Sequence, residues 1–145
     1  MENSIITGNT AGNQGGGISF SSDNTVIRDV VIFGNTAYSG AGVGSDGWSK
    51  ATFINTSIVD NYGTDNFYSY QEDTLTIINS IIISNTNNEI TMAGPIGGFL
   101  DISYSNVKNG EDSVFVASGT LVWGEGNIDV DPMFVDTANG NYHLL

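Results

Sequence analysis

The chain has 145 residues, and 16 acidic against 3 basic residues give it a net charge of −13. That balance argues against nucleic acid and anionic membrane as partners, because both are bound mainly through Lys and Arg. The absence of cysteine excludes disulfides, and the length indicates a single domain, residues 1–145.

The first residues, MENSIITG, lack the basic and apolar regions of a signal peptide. No apolar run approaches the ~20 residues that span a bilayer. We therefore expect a mature or excised segment of a longer protein. The acidic composition, with its polarity carried mainly by Asn, Ser, Thr and Gly, is typical of a secreted, highly soluble protein.

Five similar heptads recur along the chain. They read NSIITGN, DVVIFGN, NTSIVDN, NSIIISN and SYSNVKN, and they end at Asn9, Asn35, Asn61, Asn85 and Asn109. The steps between these asparagines are 26, 26, 24 and 24 residues. A period of this length is typical of a solenoid, whose repeats stack and bury a shared core.

Each coil is predicted to hold three short strands, because β-branched and aromatic residues dominate and no helical period is sustained. In chain order these strands are 5–7, 17–20, 25–28, 30–33, 41–44, 51–54, 57–59, 67–70, 75–78, 81–83, 89–92, 99–102, 113–117 and 121–123. Alternation along the strands predicts inward side chains, among them Leu75, Ile77, Leu100, Ile102, Tyr104 and Val107.

The heptad asparagines have a structural interpretation. Stacked strands lie ~4.8 Å apart, so equivalent amides would lie one above another. Each amide can donate to and accept from its neighbours, which predicts an internal ladder formed by Asn9, Asn35, Asn61, Asn85 and Asn109.

The last segment, 124–145, departs from the repeat of residues 1–123. It contains Asp131-Pro132, a turn signal, and Asn139-Gly140, a hairpin signal. We predict that it closes the last coil as a C-terminal cap. The first coil has no such cover, so end-to-end self-association is an alternative to a monomer.

The heptads, the GGGI run at 15–18 and the ending GNIDVDPMFVDTANGNYHL (126–144) resemble bacterial right-handed parallel β-helix repeat proteins. The resemblance covers essentially the whole chain. It implies an all-β, right-handed parallel β-helix of about five three-stranded coils in an extracellular setting. It implies no single activity, because the group includes adhesins, polysaccharide-cleaving enzymes and accessory modules. In size and setting the chain also resembles β-helical carbohydrate-binding modules attached to xylanases.

Catalytic patterns are weak in this sequence. The lyases within the group that the chain resembles are similar to one another in using an Arg or Lys as the catalytic base. The basic residues of this chain fall in different coils: Arg28, Lys50 and Lys108. Glycosidases need two carboxylates ~5–9.5 Å apart, and no column aligns the strand-associated aspartates Asp29, Asp60 and Asp101. We therefore predict no catalytic residues.

Metal sites are equally limited in the sequence. His143 is the single histidine, so zinc lacks a ligand set. The richest cluster of oxygen ligands is in the last segment, around Asp129 and Asp131, where Ca²⁺ is an alternative to an ordinary turn. No other cofactor is predicted.

Several aromatic residues do not fit the inward columns. They are Trp48, Tyr68, Tyr70, Tyr38 and Tyr62, whereas Trp123 is expected to pack beneath the closing segment. Exposed rings can stack on the C–H face of a sugar, and the surrounding polar side chains can bind its hydroxyls. The alternative is that these rings wrap the coils and pack on turns.

These observations favour a non-catalytic carbohydrate-binding module, appended to a glycoside hydrolase, that holds a plant cell-wall polysaccharide such as xylan. The alternatives are a structural segment of a bacterial surface adhesin and a small polysaccharide hydrolase or lyase. Polysaccharide and an attached catalytic domain are therefore the expected partners.

Overall fold

The computed structural model describes residues 1–21 and 24–145. In chain order the strands are β1 (Glu2–Thr7), β2 (Ile18–Phe20), β3 (Thr25–Phe33), β4 (Val43–Ser45), β5 (Lys50–Ile54), β6 (Ser57–Val59), β7 (Asp65–Tyr70), β8 (Thr74–Ile78), β9 (Ile81–Ile83), β10 (Asn88–Ala93), β11 (Gly98–Ser103), β12 (Asn106–Val107), β13 (Val114–Val116), β14 (Gly119–Trp123), β15 (Phe134–Asp136) and β16 (Asn141–Leu144). Short 3-10 turns occupy Gly110–Ser113 and Thr137–Asn139. In the described part of the chain, no helix is long and apolar enough to cross a membrane.

The strands β1 to β14 stack in parallel as about five coils of a β-solenoid with three faces. Face 1 contains β1, the second half of β3, β6, β9 and β12. Face 2 contains β2, β4, β7, β10 and β13. Face 3 contains the first half of β3 followed by β5, β8, β11 and β14. The predicted parallel β-helix is confirmed, and each predicted strand overlaps an observed one.

The core is a single column of apolar side chains that all three faces share. Phe20, Phe53 and Phe67 fill its centre, with ring centroids 6.2 Å apart for the first pair and 5.0 Å for the second. The predicted inward residues Leu75, Ile77, Leu100, Ile102 and Val107 are completely buried. Removing this apolar surface from water is the main driving force for stacking the coils.

Tyr104 is the exception among the predicted inward residues, because it is 52% exposed. The fifth coil is shifted by one residue relative to its heptad, so that Ser103 pairs with Ile78. Tyr104 therefore takes the corner position that Asn79 holds one coil earlier, with a left-handed φ of 50°. A side chain at that corner points away from the core, which corrects the prediction.

The asparagine ladder joins Asn9, Asn35 and Asn61. Asn35 Oδ1 accepts hydrogen bonds from the backbone N and from Nδ2 of Asn9, both at 3.0 Å. The Asn35 N and Nδ2 in turn donate to Asn61 Oδ1, at 3.0 and 3.1 Å. Asn35 and Asn61 are buried, so these bonds satisfy polar groups inside the corner.

Asn85 and Asn109 do not continue the ladder, contrary to the sequence prediction. In the first three coils a left-handed residue precedes the asparagine: Gly8, Gly34 or Asp60. The fourth coil has no such residue before Asn85, so Ser84 turns inward one position early and its Oγ accepts from Asn61 N at 3.2 Å. Asn85 and Asn109 are left exposed.

The segment 124–145 covers face 1 rather than the whole end of the last coil. Ile128 pairs with Asn106 of β12, which extends face 1 by a partial sixth strand. The antiparallel hairpin of β15 and β16, here called the C-terminal hairpin, then lies on the outer surface of face 1. The Tyr142 ring packs 4.7 Å from that of Phe33, and its hydroxyl donates to Asp60 at 2.8 Å. Trp123 packs against the core at partial burial.

Candidate functional site

An open cleft of about 360 Å³ lies on the outer surface of face 2. It is lined by Asn13, Gln14, Tyr38, Ser39, Asp46, Tyr68 and Tyr70. Three of the five aromatic residues singled out in the sequence therefore meet in one place. We call this cleft, with its seven lining residues, the tyrosine cleft.

The floor of the tyrosine cleft comes from strand β7. Side chains alternate between the two sides of a strand, so residues two apart point in the same direction. Phe67 and Ser69 are buried in the core, whereas Tyr68 and Tyr70 point outward side by side. The rigid stack of coils beneath β7 thus fixes both rings from below.

The wall of the cleft comes from turns in the first two coils that fold back over face 2. Gln14 pairs with Ser39, which brings the two turns together, and Tyr38 projects from the second turn with 69% of its surface exposed. Gly40 permits the fold-back, because it has a φ of 56° and an added Cβ would lie 2.9 Å from the Tyr68 Cβ. A larger residue at this position would push the turn away from the floor.

Polar groups of the cleft are held in fixed positions beside the rings. The Gln14 amide donates to the Asp46 carboxylate, which links the wall to the end of β4. Ser39 Oγ lies 3.3 Å from Thr64 Oγ1, and the Thr64 backbone N donates to Tyr38 O at 2.9 Å. Fixed hydroxyl, amide and carboxylate groups of this kind can each form hydrogen bonds with a polyhydroxylated ligand.

The electrostatic environment keeps the Tyr68 hydroxyl neutral. Burial raises the pKa of this hydroxyl, and the nearby Asp65 and Tyr70 raise it further. Thr64 and Thr91 both donate to the Asp65 carboxylate. Tyr68 therefore remains a hydrogen-bond donor at neutral pH, and its ring presents an uncharged surface suited to stacking.

Trp48 and Tyr62 lie outside the tyrosine cleft. Trp48 is 62% exposed in the turn after β4, with a left-handed φ of 53°. Tyr62 is 58% exposed and continues the column of Thr10 and Thr36, as its sequence position predicts. Both rings are accessible, but the structure does not bring them together with Tyr38, Tyr68 and Tyr70.

The other candidate residues are dispersed. Arg28 lies 3.9 Å from the Glu2 carboxylate on the surface, and Lys108 Nζ donates to Ser84 O at 2.7 Å. Asp29 accepts from Asn55 at a corner between faces 3 and 1. These groups take part in separate local contacts.

The described residues contain no group of three or more His, Cys, Asp or Glu that could hold a metal ion. Asp129 and Asp131 are exposed, and Asp131 Oδ1 accepts from Met133 N at 2.9 Å in a local turn. His143 lies exposed in β16. The Ca²⁺ alternative near Asp129 and Asp131 stays a prediction.

Asn13, Gln14, Ser39 and Asp46 were not singled out as site residues in the sequence. Each lies in a turn, where polar residues are ordinary, and composition alone cannot distinguish a turn that lines a cleft from one that does not. The available signal was the glycine that follows each fold-back turn, Gly15 and Gly40, both with positive φ. These glycines mark where the chain turns back over a face.

Comparison with known proteins adds no family to this description. No family model, curated protein or solved structure matches the chain. The structure itself is a parallel β-solenoid, and the geometry of the site supports the function proposed below.

Proposed function

We propose that this chain is a non-catalytic carbohydrate-binding module that holds a neutral plant cell-wall polysaccharide in the tyrosine cleft. One observation carries the proposal: Tyr38, Tyr68 and Tyr70 converge with Gln14 and Asp46 in one open cleft. Stacking rings together with fixed hydrogen-bonding groups are the chemistry that recognises a sugar ring and its hydroxyls. A volume of about 360 Å³ lies within the ordinary range of ligand sites.

The net charge of −13 supports a neutral rather than a polyuronate ligand. A carboxylated polysaccharide would be repelled by the acidic surface, and Asp46 would oppose it inside the cleft. Xylan is our first candidate. We further propose an extracellular location, membership of the right-handed parallel β-helix repeat group, and attachment to a glycoside hydrolase that the module keeps near its substrate.

Affinity electrophoresis in gels that contain xylan, mixed-linkage glucan, glucomannan or polygalacturonate tests the proposal. We expect a neutral polysaccharide to retard the wild-type chain and polygalacturonate to leave its mobility unchanged. Tyr68→Ala should weaken binding about tenfold or more, since losing ~1.4 kcal/mol of stacking corresponds to that factor.

Tyr62→Ala is the matched control, because this tyrosine is exposed but lies outside the cleft. It should bind as the wild-type chain does. If no polysaccharide retards the chain, the proposal is wrong and a structural adhesin segment is favoured. Reducing ends or unsaturated products released by the isolated chain would favour a hydrolase or a lyase instead.

A further inference from the structure

A second cleft, of about 490 Å³, lies on a different side of the solenoid. Its floor is the outer surface of face 1, at Ser57, Ile81 and Asn106, and residues of the closing segment form one wall. The opposite wall is a column of corner residues that ends at Tyr104. We call this space the corner cleft.

The corner column repeats one residue per coil in the left-handed region. Its members are Asn3, Asp29, Asn55, Asn79 and Tyr104, with φ values of 48°, 54°, 51°, 51° and 50°. Asn and Asp adopt this conformation more readily than other residues with a side chain, so the first four members suit the backbone. A bulky aromatic residue is unfavourable there, which singles out Tyr104.

The Tyr104 ring is held as a platform. Its hydroxyl donates to the Glu125 carboxylate. One side of the ring lies against Gly126, where an added Cβ would be 2.5 Å from Tyr104 Cδ1. Tyr104 nevertheless remains 52% exposed and lines the cleft. It is thus fixed at its edge and on one side, while a surface remains open to a ligand.

Fixed amides continue from this platform along the column. Asn79 Nδ2 donates to Asn55 Oδ1 at 2.6 Å, and Asn55 Nδ2 donates to Asp29 Oδ1 at 2.9 Å. Both bonds run toward the first coil. This direction leaves Asn79 Oδ1 exposed as an acceptor at the Tyr104 end of the column, with Asp131 across the cleft.

We propose that the corner cleft is a second carbohydrate subsite, in which a neutral sugar ring stacks on Tyr104 and its hydroxyls bond to Asn79 and Asp131. An aromatic platform, an amide acceptor and a carboxylate acceptor around one open space match a polyhydroxylated ring. The ligand class rests on the proposed function, but the residues are independent of the tyrosine cleft. The chain is then bivalent and can bridge two polysaccharide strands.

The test is a titration of ¹⁵N-labelled protein with xylohexaose and cellohexaose, followed by NMR. We expect two sets of shifts: backbone amides of 66–70 report the tyrosine cleft, and the Asn55 and Asn79 side-chain amides report the corner cleft. Tyr104→Asn should abolish the second set, or weaken it at least tenfold, and leave the first set unchanged. Asn is the residue at this corner in three other coils, at Asn3, Asn55 and Asn79, so this variant keeps a backbone-compatible side chain.

Tyr68→Ala should have the opposite effect, removing the first set and sparing the second. If only the first set occurs and Tyr104→Asn changes nothing, the corner subsite is wrong while the proposed function stands. If only the second set occurs, the tyrosine cleft is wrong and the corner cleft is the binding site. If neither hexasaccharide shifts any resonance, both proposals are overturned for these glycans.

Discussion

Asn35 shows how one buried amide stabilises a corner of the solenoid. Its Oδ1 accepts two bonds from Asn9, and its Nδ2 donates to Ile6 O at 3.0 Å and to Asn61. Asn35→Ala would leave several of these groups without a partner. We expect the free energy of unfolding to fall by roughly 2–4 kcal/mol, since each buried unsatisfied group costs about 1–3 kcal/mol.

Asn85→Ala is the control for this prediction, because Asn85 holds the same heptad position but is exposed. Its effect should stay within about 0.5 kcal/mol. Urea unfolding of both variants is the measurement. Equal losses at the two positions would show that the ladder contributes nothing specific.

Glu89 is a carboxylate held inside the solenoid, with 1% of its surface exposed. Its oxygens accept from Ser84 N at 2.8 Å and from Asn66 Nδ2 at 3.2 Å. Burial is the dominant effect and raises its pKa to about 7, while the two hydrogen bonds and Lys108 oppose the rise. The unfolded chain has no such burial, so the native state binds this proton more tightly.

It follows that the contribution of Glu89 to stability is fully present below about pH 4.5 and is lost as the pH rises through 7. We expect the unfolding free energy of the wild-type chain, relative to Glu89→Gln, to fall by up to roughly 3 kcal/mol between these limits. Denaturant unfolding at several pH values measures this difference. A difference between wild type and Glu89→Gln that stays constant across this pH range would contradict the assignment.

At the scale of elements, the C-terminal hairpin stabilises face 1 by packing across it. The Tyr142 ring lies between Phe33 and Phe134, with centroids 4.7 and 5.2 Å away. Strand alternation makes Val59 point outward from face 1, yet this residue is only 1% exposed, because the C-terminal hairpin covers this part of face 1. Burial and the bond to Asp60 raise the pKa of Tyr142, so its hydroxyl remains a donor.

Tyr142→Ala should therefore lower the unfolding free energy by about 2–3 kcal/mol and make the hairpin more accessible to proteases. Tyr142→Phe removes only the bond to Asp60 and should cost about 1 kcal/mol. Val135→Ala, on the exposed side of the hairpin, should be nearly neutral. Urea unfolding with limited proteolysis tests all three, and identical behaviour of Tyr142→Ala and Val135→Ala would exclude the packing role.

At the scale of the whole molecule, stacking converts a weak sequence period into a regular surface. Each coil contributes one position to every column, at the ~4.8 Å spacing of paired strands. The two clefts lie on faces 2 and 1, so their ligands would approach from different directions. A polymer could therefore occupy one cleft without covering the other.

The sequence by itself determined the architecture. A repeat of 24 to 26 residues with β-branched alternation has few physical solutions, and the predicted strands, the parallel stacking and nearly all predicted inward residues follow from it. The outward direction of Tyr68 and Tyr70 was also predictable, because a strand has only two surfaces and Phe67 occupies the inner one.

Only the tertiary structure decided the corners and the clefts. A shift of one residue places Tyr104 at a left-handed corner, and a missing left-handed residue leaves Asn85 outside the ladder. A displacement of one residue leaves the heptad pattern of apolar and polar residues almost unchanged, so this pattern does not reveal where the chain is displaced. The convergence of Gln14, Tyr38 and Tyr68 depends on turns folding back from separate coils. It arises from three-dimensional stacking, which a one-dimensional period does not encode.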